Sequence, residues 1–284
     1  MASLPAASPD PRPLSSKSGR VKTARRLARR NSRAEHRLFL AEGAKALTEA
    51  LHAGGVVEVF ATLEASEQYA ALRKAVDDSG IPWSLVDDDA ISSLSGAVTP
   101  QGIVATCRFL DAPLDDLLSV VEERGTSVSE PRVLVICADV RDPGNAGTVI
   151  RCADASGADA VVLAGNSVDP YNDKTVRATV GSLWHVPLAL HDDPADVVRR
   201  AQSEGYVVLA ADGAGETDLF EAESSGLLTG RVAWLLGNEA WGLPDELAAL
   251  ADHRVSIPIY GRAESLNLST AAAVCLYATA RARR

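Results

Sequence analysis

Short, uninterrupted apolar segments recur through the second half of the chain, and helical segments separate them. They consist mainly of Val, Leu, Ile and Ala, and they lie at Val133–Ala138, Ala160–Ala164, Val186–Leu190, Val207–Ala211, Val232–Leu236 and Arg254–Pro258. Strands without polar alternation are buried on both faces, so this pattern predicts a parallel sheet that is covered by helices. Ligands of such sheets bind beyond the carboxyl ends of the strands. The loops that follow Ala138, Leu236 and Pro258 are therefore the first places to search for a site.

A second, weaker alternation of strands and helices precedes this region. It predicts helices at Glu42–Ala53, Ser66–Asp78 and Asp87–Leu94 and strands at Val56–Thr62, Trp83–Val86 and Gly102–Phe109. The 284 residues are enough for two domains, each with its own core. We predict a small α/β domain over 38–110, a charged linker over 111–130 and a larger α/β domain over 131–284.

The basic residues are concentrated at the amino end of the chain. Ten of the 28 Lys and Arg residues lie within 1–37, together with two of the 38 Asp and Glu residues, although the whole chain has a net charge of −10. We predict that residues 1–37 form a basic, disordered arm, because 1–16 are rich in Pro, Ser and Ala. Two interpretations of the basic part stay open: a solvated tail, or an Arg-rich segment that becomes helical on RNA.

Several classes of protein and site are disfavoured. The uncharged stretch Ser265–Ala280 contains Asn, Ser and Thr and is shorter than the ~20 apolar residues of a membrane helix. No apolar signal-peptide core lies near the amino end, and the four Cys residues are far apart, so we expect a cytoplasmic protein without a bound metal. Phosphate-loop, serine-hydrolase and zinc-protease motifs are absent from the sequence. The segment Asp212–Glu216 lacks the third glycine of a dinucleotide fingerprint and is interpreted as a turn.

Three loops bring polar and small residues to the carboxyl edge of the predicted sheet. They are Asp142–Arg151, Leu235–Leu243 and Ile257–Ser269. In the first, Asn145 is a candidate helix N-cap, and Gly147 shares a helix face with Arg151, so the guanidinium would bind a phosphate beside a glycine-cleared surface. In the second, Gly237 exposes backbone groups and Glu239 supplies an acceptor. Each loop alone is better explained as a simple turn.

Together the three loops carry a more specific signal. The ordered segments DPGNAGTVIRCADASG, LLGNEAWGL and SIPIYGRAESLNLSTAAAVCLY resemble the three motifs of the SpoU/TrmH branch of the SPOUT RNA methyltransferases. This resemblance covers about residues 131–281. Residues 38–110, with Phe39–Gly43 and Gly102–Ala105, are similar to the small L30e-like substrate-binding domain that many of these enzymes carry.

The resemblance implies a fold, a cofactor and a set of site residues. Its members bind S-adenosylmethionine in a carboxy-terminal SPOUT domain with a trefoil knot, form homodimers through that domain and methylate a ribose 2′-hydroxyl of rRNA or tRNA. The positions that match the cofactor-binding residues of the family are Gly237, Ile257 and Leu266. The positions that match its catalytic residues are Asn145, Arg151, Glu239, Ser265 and Asn267.

We expect 2′-O-methylation of one nucleotide in rRNA, with 23S rRNA favoured by the extra domain and the basic arm. Two alternatives stay open: a tRNA 2′-O-methyltransferase, and a non-catalytic RNA-binding assembly factor that keeps the fold. A guanidinium stays protonated in proteins, so Arg151 is expected to orient the ribose and its phosphate, with the phosphate helping to remove the proton.

Overall fold

The computed structural model describes residues 12–119 and 132–284. Its backbone contacts divide the chain into two units. The first unit ends at Phe109 and also includes Tyr171–Asp173, and the second comprises Leu110–Pro170 and Lys174–Arg284. Within the described ranges, no helix is both long enough and apolar enough to cross a membrane.

A four-stranded mixed sheet forms the centre of the first unit. In the order β1-β4-β2-β3, its strands are β1 (Leu38–Glu42), β4 (Ile103–Arg108), β2 (Val56–Ala61) and β3 (Trp83–Leu85). Strand β4 is antiparallel to β1 and β2, whereas β2 and β3 are parallel. The helices are α1 (Gly19–Arg26), α2 (Arg30–His36), α3 (Ala44–His52), α4 (Leu63–Gln68), α5 (Ala70–Asp78) and α6 (Asp88–Leu94). Strand β1 was not predicted, and the single helix predicted over 66–78 is two helices that meet at Tyr69.

The structure differs from the prediction that residues 1–37 form a disordered arm. Residues 12–37 are folded, and α1 places Val21 and Ala24 in the core of the first unit beside α6. The Leu14 backbone N–H also donates to the Leu85 carbonyl, 2.8 Å away, at the edge strand β3. Apolar residues three apart bury one face of α1 even though Arg and Lys cover the other face. The prediction for residues 1–11 lies outside the described residues.

A seven-stranded sheet forms the centre of the second unit, and every neighbouring pair of strands is parallel. In the order β7-β6-β5-β10-β8-β11-β9, the strands are β7 (Leu188–His191), β6 (Ala160–Ala164), β5 (Val133–Ala138), β10 (Val232–Leu236), β8 (Val207–Ala211), β11 (His253–Ser256) and β9 (Thr217–Asp218). The predicted α/β class with a parallel sheet is confirmed. The helices from here on are α7 (Leu114–Ser119), α8 (Pro143–Ser156), α9 (Asp173–Thr179), α10 (Pro194–Ser203), α11 (Leu219–Ser224), α12 (Asp245–Ala248) and α13 (Leu268–Ala282).

The predicted linker over 111–130 is folded in its first part. Helix α7 buries Leu114, Leu117 and Leu118 in the apolar core of the second unit, so residues 114–118 belong to that unit and do not form a linker. An apolar residue at every third or fourth position was present in the sequence, but the charges around it hid the pattern. The rest of the predicted linker, residues 120–130, lies outside the described residues.

Candidate active site

The loop after β5 turns into α8 through a cap at Asp142. Its carboxylate accepts a hydrogen bond from the Asn145 backbone N–H at 2.7 Å, and Pro143 occupies the first turn of the helix. Asp142 is therefore the N-cap, and the prediction that Asn145 fills this role is wrong. Because Asp142 caps the helix, the Asn145 side chain is left available for contacts with the other loops.

The loop after β10 is a short, closed turn that begins at Gly237. Asn238 and Gly242 exchange two backbone hydrogen bonds, of 2.8 and 2.9 Å, and the Asn238 side-chain amide donates to the Asp139 carbonyl at 2.7 Å. A Cβ atom on Gly237 would lie 2.4 Å from the Gly242 carbonyl carbon. Only glycine fits at this close approach, which holds Glu239 at the tip of the turn.

Glu239 links this turn to the start of α8. Its carboxylate accepts hydrogen bonds from the backbone N–H groups of Arg141 and Asp142, at 3.1 and 3.0 Å, and from the Asn145 side-chain amide at 3.3 Å. Burial, and secondly the charge of Glu239, raise the pKa of the neighbouring Cys137 thiol to about 12. Glu239 thus joins two of the three predicted loops.

Asn267 brings in the third loop. Its side-chain oxygen caps α13 by accepting from the backbone N–H groups of Ser269 and Thr270, at 2.9 and 3.3 Å. Its side-chain NH₂ donates to the Asn145 side-chain oxygen at 3.0 Å. Glu239, Asn145 and Asn267 therefore form one continuous hydrogen-bonded chain across the three motif loops.

A cavity of about 330 Å³ opens beside this network, beyond the carboxyl ends of β8, β10 and β11. All three predicted cofactor residues line it, and two of the predicted catalytic residues do as well: Gly237, Ile257, Leu266, Glu239 and Ser265. The structure thus gathers seven of the eight predicted residues at one place, counting Asn145 and Asn267 of the hydrogen-bonded chain.

The contribution of the turn after β8 was not predicted from the sequence. Asp212 and Gly213 line the cavity, although their segment was interpreted only as a turn. Burial alone would raise the pKa of Asp212, but hydrogen bonds from the Ala214 backbone N–H and the Arg254 guanidinium lower it below its usual range. The carboxylate is therefore charged at neutral pH. The turn follows a buried parallel strand, so the rule that located the other loops could also have identified Asp212.

Arg151 is the one predicted residue that the structure does not bring to the cavity. It lies exposed on α8, and its side chain has no hydrogen bond or ion pair with another residue of the ranges 12–119 and 132–284. The predicted glycine-cleared surface beside it is wrong, because a Cβ on Gly147 would lie 2.5 Å from the Ala178 Cβ and 2.7 Å from the Thr175 carbonyl oxygen. Gly147 clears space for α9 and not for a ligand.

A cation–π pair at the rim was also missed. The Arg141 guanidinium carbon lies 5.0 Å from the centre of the Trp241 ring, and Trp241 is 54% exposed. Arg141 directly precedes the first motif loop and Trp241 belongs to the second, so the pair is a further contact between these two regions.

The comparisons with known proteins agree with this geometry. The model of the SpoU rRNA Methylase family matches residues 132–277, which is more than half of the chain. The chain belongs to the SpoU rRNA methylase family. The model of an MRM3-like substrate binding domain matches residues 19–105, a range that includes both α1 and α2.

Individual relatives extend this SpoU-family assignment over nearly the whole chain. The 23S rRNA (guanosine(2553)-2′-O)-methyltransferase RlmP of Bacillus subtilis is 33% identical over 266 residues, which cover 93% of this chain and 96% of RlmP. The AdoMet-bound rRNA methyltransferase of Sinorhizobium meliloti superposes with a TM-score of 0.81 at 33% identity, covering 95% of this chain and 97% of that one. The SpoU methyltransferase AviRb of Streptomyces viridochromogenes, in complex with AdoMet, has a TM-score of 0.79 at 27% identity and covers 93% and 98%.

Proposed function

We propose that this chain transfers a methyl group from S-adenosylmethionine to a ribose 2′-hydroxyl of rRNA, with 23S rRNA as the substrate. The observation that carries the proposal is the meeting of the three motif loops at one cavity, joined through Glu239, Asn145 and Asn267. Relatives that are 23S rRNA 2′-O-methyltransferases support the choice of rRNA over tRNA. Action on rRNA also favours the cytoplasm as the place where the protein works.

The cavity fits S-adenosylmethionine in size and in chemistry. Its volume of about 330 Å³ lies at the lower end of the range for small-molecule sites. Leu236, Val255 and Ile257 provide apolar walls for an adenine ring, and the carboxylates of Asp212 and Glu239 favour a positively charged sulfur.

We assign Gly237, Ile257 and Leu266 to the adenosine end of the cofactor. All three line the cavity, and the close packing of Gly237 against the backbone of Gly242 and Leu243 holds its turn at the cavity wall. Backbone N–H and C=O groups of such a loop recognise the edge of an adenine ring without a charged side chain. The trefoil knot that the resemblance implies belongs to the same proposal.

When bound, S-adenosylmethionine supplies an electrophilic methyl group on a sulfonium. The residues of this chain then hold the ribose in line with that methyl group, because correct positioning alone lowers a barrier by ~7–11 kcal/mol. Glu239, Asn145 and Asn267 form the rigid base of the site, and Ser265 presents a hydroxyl at the cavity wall. Arg151 supplies the guanidinium that orients the 2′-hydroxyl and its phosphate, and the phosphate accepts the proton.

A homodimer through the second unit accounts for the position of Arg151. A cleft between α8, α11 and α13 is lined by Ala155, Phe220, Val274 and Tyr277, and Phe220 and Tyr277 are 44% and 55% exposed. Apolar surface of this kind is typical of an interface. Arg151 precedes Ala155 by four residues on α8 and so lies on the same helix face. A second copy on this face would place Arg151 at the interface, where its guanidinium reaches the methyl-transfer cavity of the other copy.

The first unit offers a preformed surface to RNA. Exposed cations lie on α1, on α2 and between the two helices, and none of them forms an ion pair with another residue of the described chain: Lys22, Arg25, Arg26, Arg29 and Arg30. Arg33 has a different role, since its buried guanidinium donates to the carbonyls of Leu27 and Ala28 at 2.8 and 2.9 Å. Unpaired surface guanidinium groups suit the phosphate backbone of a large RNA.

The experiment that tests the proposal combines labelled S-adenosylmethionine with separate pools of 23S rRNA, 16S rRNA and tRNA, followed by alkaline hydrolysis. A 2′-O-methyl group blocks cleavage at its own linkage, so one assay reports the activity, the RNA class and the nucleotide. A single protected linkage in 23S rRNA is expected. Label in tRNA would overturn the substrate, and a protein that binds RNA but not the cofactor would be an assembly factor.

A further inference from the structure

Three arginines surround Tyr206 at the amino ends of the strands, on the edge of the sheet opposite the methyl-transfer cavity. Arg132 precedes β5, Arg231 precedes β10 and Arg283 follows α13. The Arg231 guanidinium lies 5.8 Å from the centre of the Tyr206 ring. Arg283 donates to the carbonyl of Arg132 at 2.7 Å, which ties the carboxyl end of the chain to the start of β5.

Several donors of this cluster have no acceptor among residues 12–119 and 132–284. Four of its guanidinium nitrogens are buried and lack a hydrogen-bond partner in the described part of the chain: Arg132 Nη1, Arg231 Nε, Arg231 Nη2 and Arg283 Nε. Buried donors of native proteins are paired as a rule, and each unpaired one calls for an ion, a water molecule or a function. Here four such donors belong to neighbouring cations, which is a stronger signal than a single unpaired group.

The local charge favours an anion. Arg132 is paired with Asp159 at 3.6 Å, and its side chain is only 14% exposed. The Arg231 guanidinium donates to the backbone carbonyl of Glu204 at 2.8 Å, so this contact neutralises no charge. Among residues 12–119 and 132–284, the carboxylates that act on Tyr206 are those of Asp159 and Glu204, against three guanidinium groups at the cluster. Arg283 is partly buried, and this burial lowers the pKa of its guanidinium.

We propose that Arg132, Arg231 and Arg283 form a binding site for a phosphate-class oxyanion, separate from the methyl-transfer cavity. A tetrahedral oxyanion has several acceptor oxygens, and the planar fork of a guanidinium matches two of them at once. Strand β10 separates this edge from the cavity by about 16 Å, since each of its residues advances ~3.3 Å. The anion is either free inorganic phosphate or a backbone phosphate of RNA. The proposal does not depend on the methyl-transfer function.

Thermal unfolding of the full-length protein tests the site. Inorganic phosphate is titrated against chloride at matched ionic strength, and phosphate alone is expected to raise the Tm in a saturable way. At about five times its Kd the rise amounts to roughly 2–4 °C. Arg231→Gln removes two of the unpaired donors and should abolish the rise. Arg199→Gln is the matched control, because Arg199 is exposed on α10 and paired with Asp193.

A second variant covers the case in which the first does not fold. If Arg231→Gln does not fold, as judged by far-ultraviolet circular dichroism, then Arg283→Gln takes its place and should likewise lose the phosphate response. An equal response to chloride and phosphate, or an unchanged response in the folded variant, would mean that water fills the cluster and would overturn the proposal.

A second titration identifies the source of the anion. An RNA oligonucleotide with hydroxyl groups at both ends carries only backbone phosphates. If this oligonucleotide abolishes the phosphate-dependent rise in Tm of wild type and of Arg199→Gln, the site binds the RNA backbone. Retention of the rise would assign it to free phosphate.

Discussion

Gly237→Ala is the substitution that tests the architecture of the cavity most directly. The added Cβ would lie 2.4 Å from the Gly242 carbonyl carbon, 2.5 Å from its oxygen and 2.6 Å from the Leu243 nitrogen. All three are backbone atoms, so no side-chain rotation relieves the contact. The turn that carries Glu239 must move away from β10, and with it the wall of the cavity.

The size of this movement follows from the contact distances. An ordinary van der Waals contact begins at 3.4 Å, so a carbon at 2.4 Å requires a displacement of about 1 Å. Overpacking of this kind costs ~1–3 kcal/mol, which corresponds to a fall in Tm of roughly 2–12 °C. A displacement of ~1 Å in a positioned site lowers a reaction rate by about 100-fold. Activity is thus expected to fall far more than stability.

The assay compares the melting temperature, the Kd for S-adenosylmethionine and methyl transfer to 23S rRNA. Gly230→Ala is the control, because Gly230 precedes the same strand and a Cβ there meets no atom within 4 Å. The control should match wild type in all three measurements. If Gly237→Ala also kept its cofactor affinity within about twofold, the close approach would not shape the cofactor site, and the reasoning would be refuted.

Three further predictions concern individual side chains. Asn267→Ala removes the cap of α13 and should lower the Tm by roughly 2–4 °C for each ~1 kcal/mol of capping energy lost. Asn267→Asp keeps the cap and the Tm but should lose activity, because the side-chain donor to Asn145 is gone. Wild-type activity in both variants would contradict this prediction. Arg151→Lys should bind S-adenosylmethionine normally and lose most of its turnover. Near-wild-type turnover would contradict the role of the Arg151 guanidinium in orienting the ribose. The double variant Arg25→Gln/Arg29→Gln should reduce the slope of log affinity for rRNA against log salt by up to ~0.7–0.9 for each phosphate that is no longer neutralised. Arg73→Gln is the control and should leave the slope unchanged, because the Arg73 guanidinium is paired within α5.

The sheet of the second unit was predictable because its strands are buried on both faces. Burial leaves Val, Leu, Ile and Ala as the usual residues, so an apolar run marks each central strand almost residue by residue, as in β5, β8 and β10. The rule that ligands lie beyond the carboxyl ends then located the motif loops. The two-residue strand β9 was missed because Thr217 and Asp218 carry no apolar signal.

The first unit was harder to predict because its short elements bury little surface. Helix α1 has only two buried residues among eight, and its remaining face is basic, so the composition suggested disorder. Strand β1 ends at Glu42 and is followed by Gly43 with φ +96°, a break that the helical pattern of the next residues concealed. Both errors arise because tertiary packing, and not local preference, decides the structure of short elements.

The site itself shows why the identity of a residue was easier to predict than its role. Asn145 was chosen as a cap, but Asp142 caps α8 and leaves the Asn145 amide to join Glu239 with Asn267. The cofactor cavity and its hydrogen-bonded base are therefore assembled within one chain. Arg151 lies outside this assembly, on a helix face that also borders an exposed apolar cleft. We therefore propose that cofactor binding needs only one folded chain, whereas methyl transfer also needs the Arg151 guanidinium of a neighbouring copy.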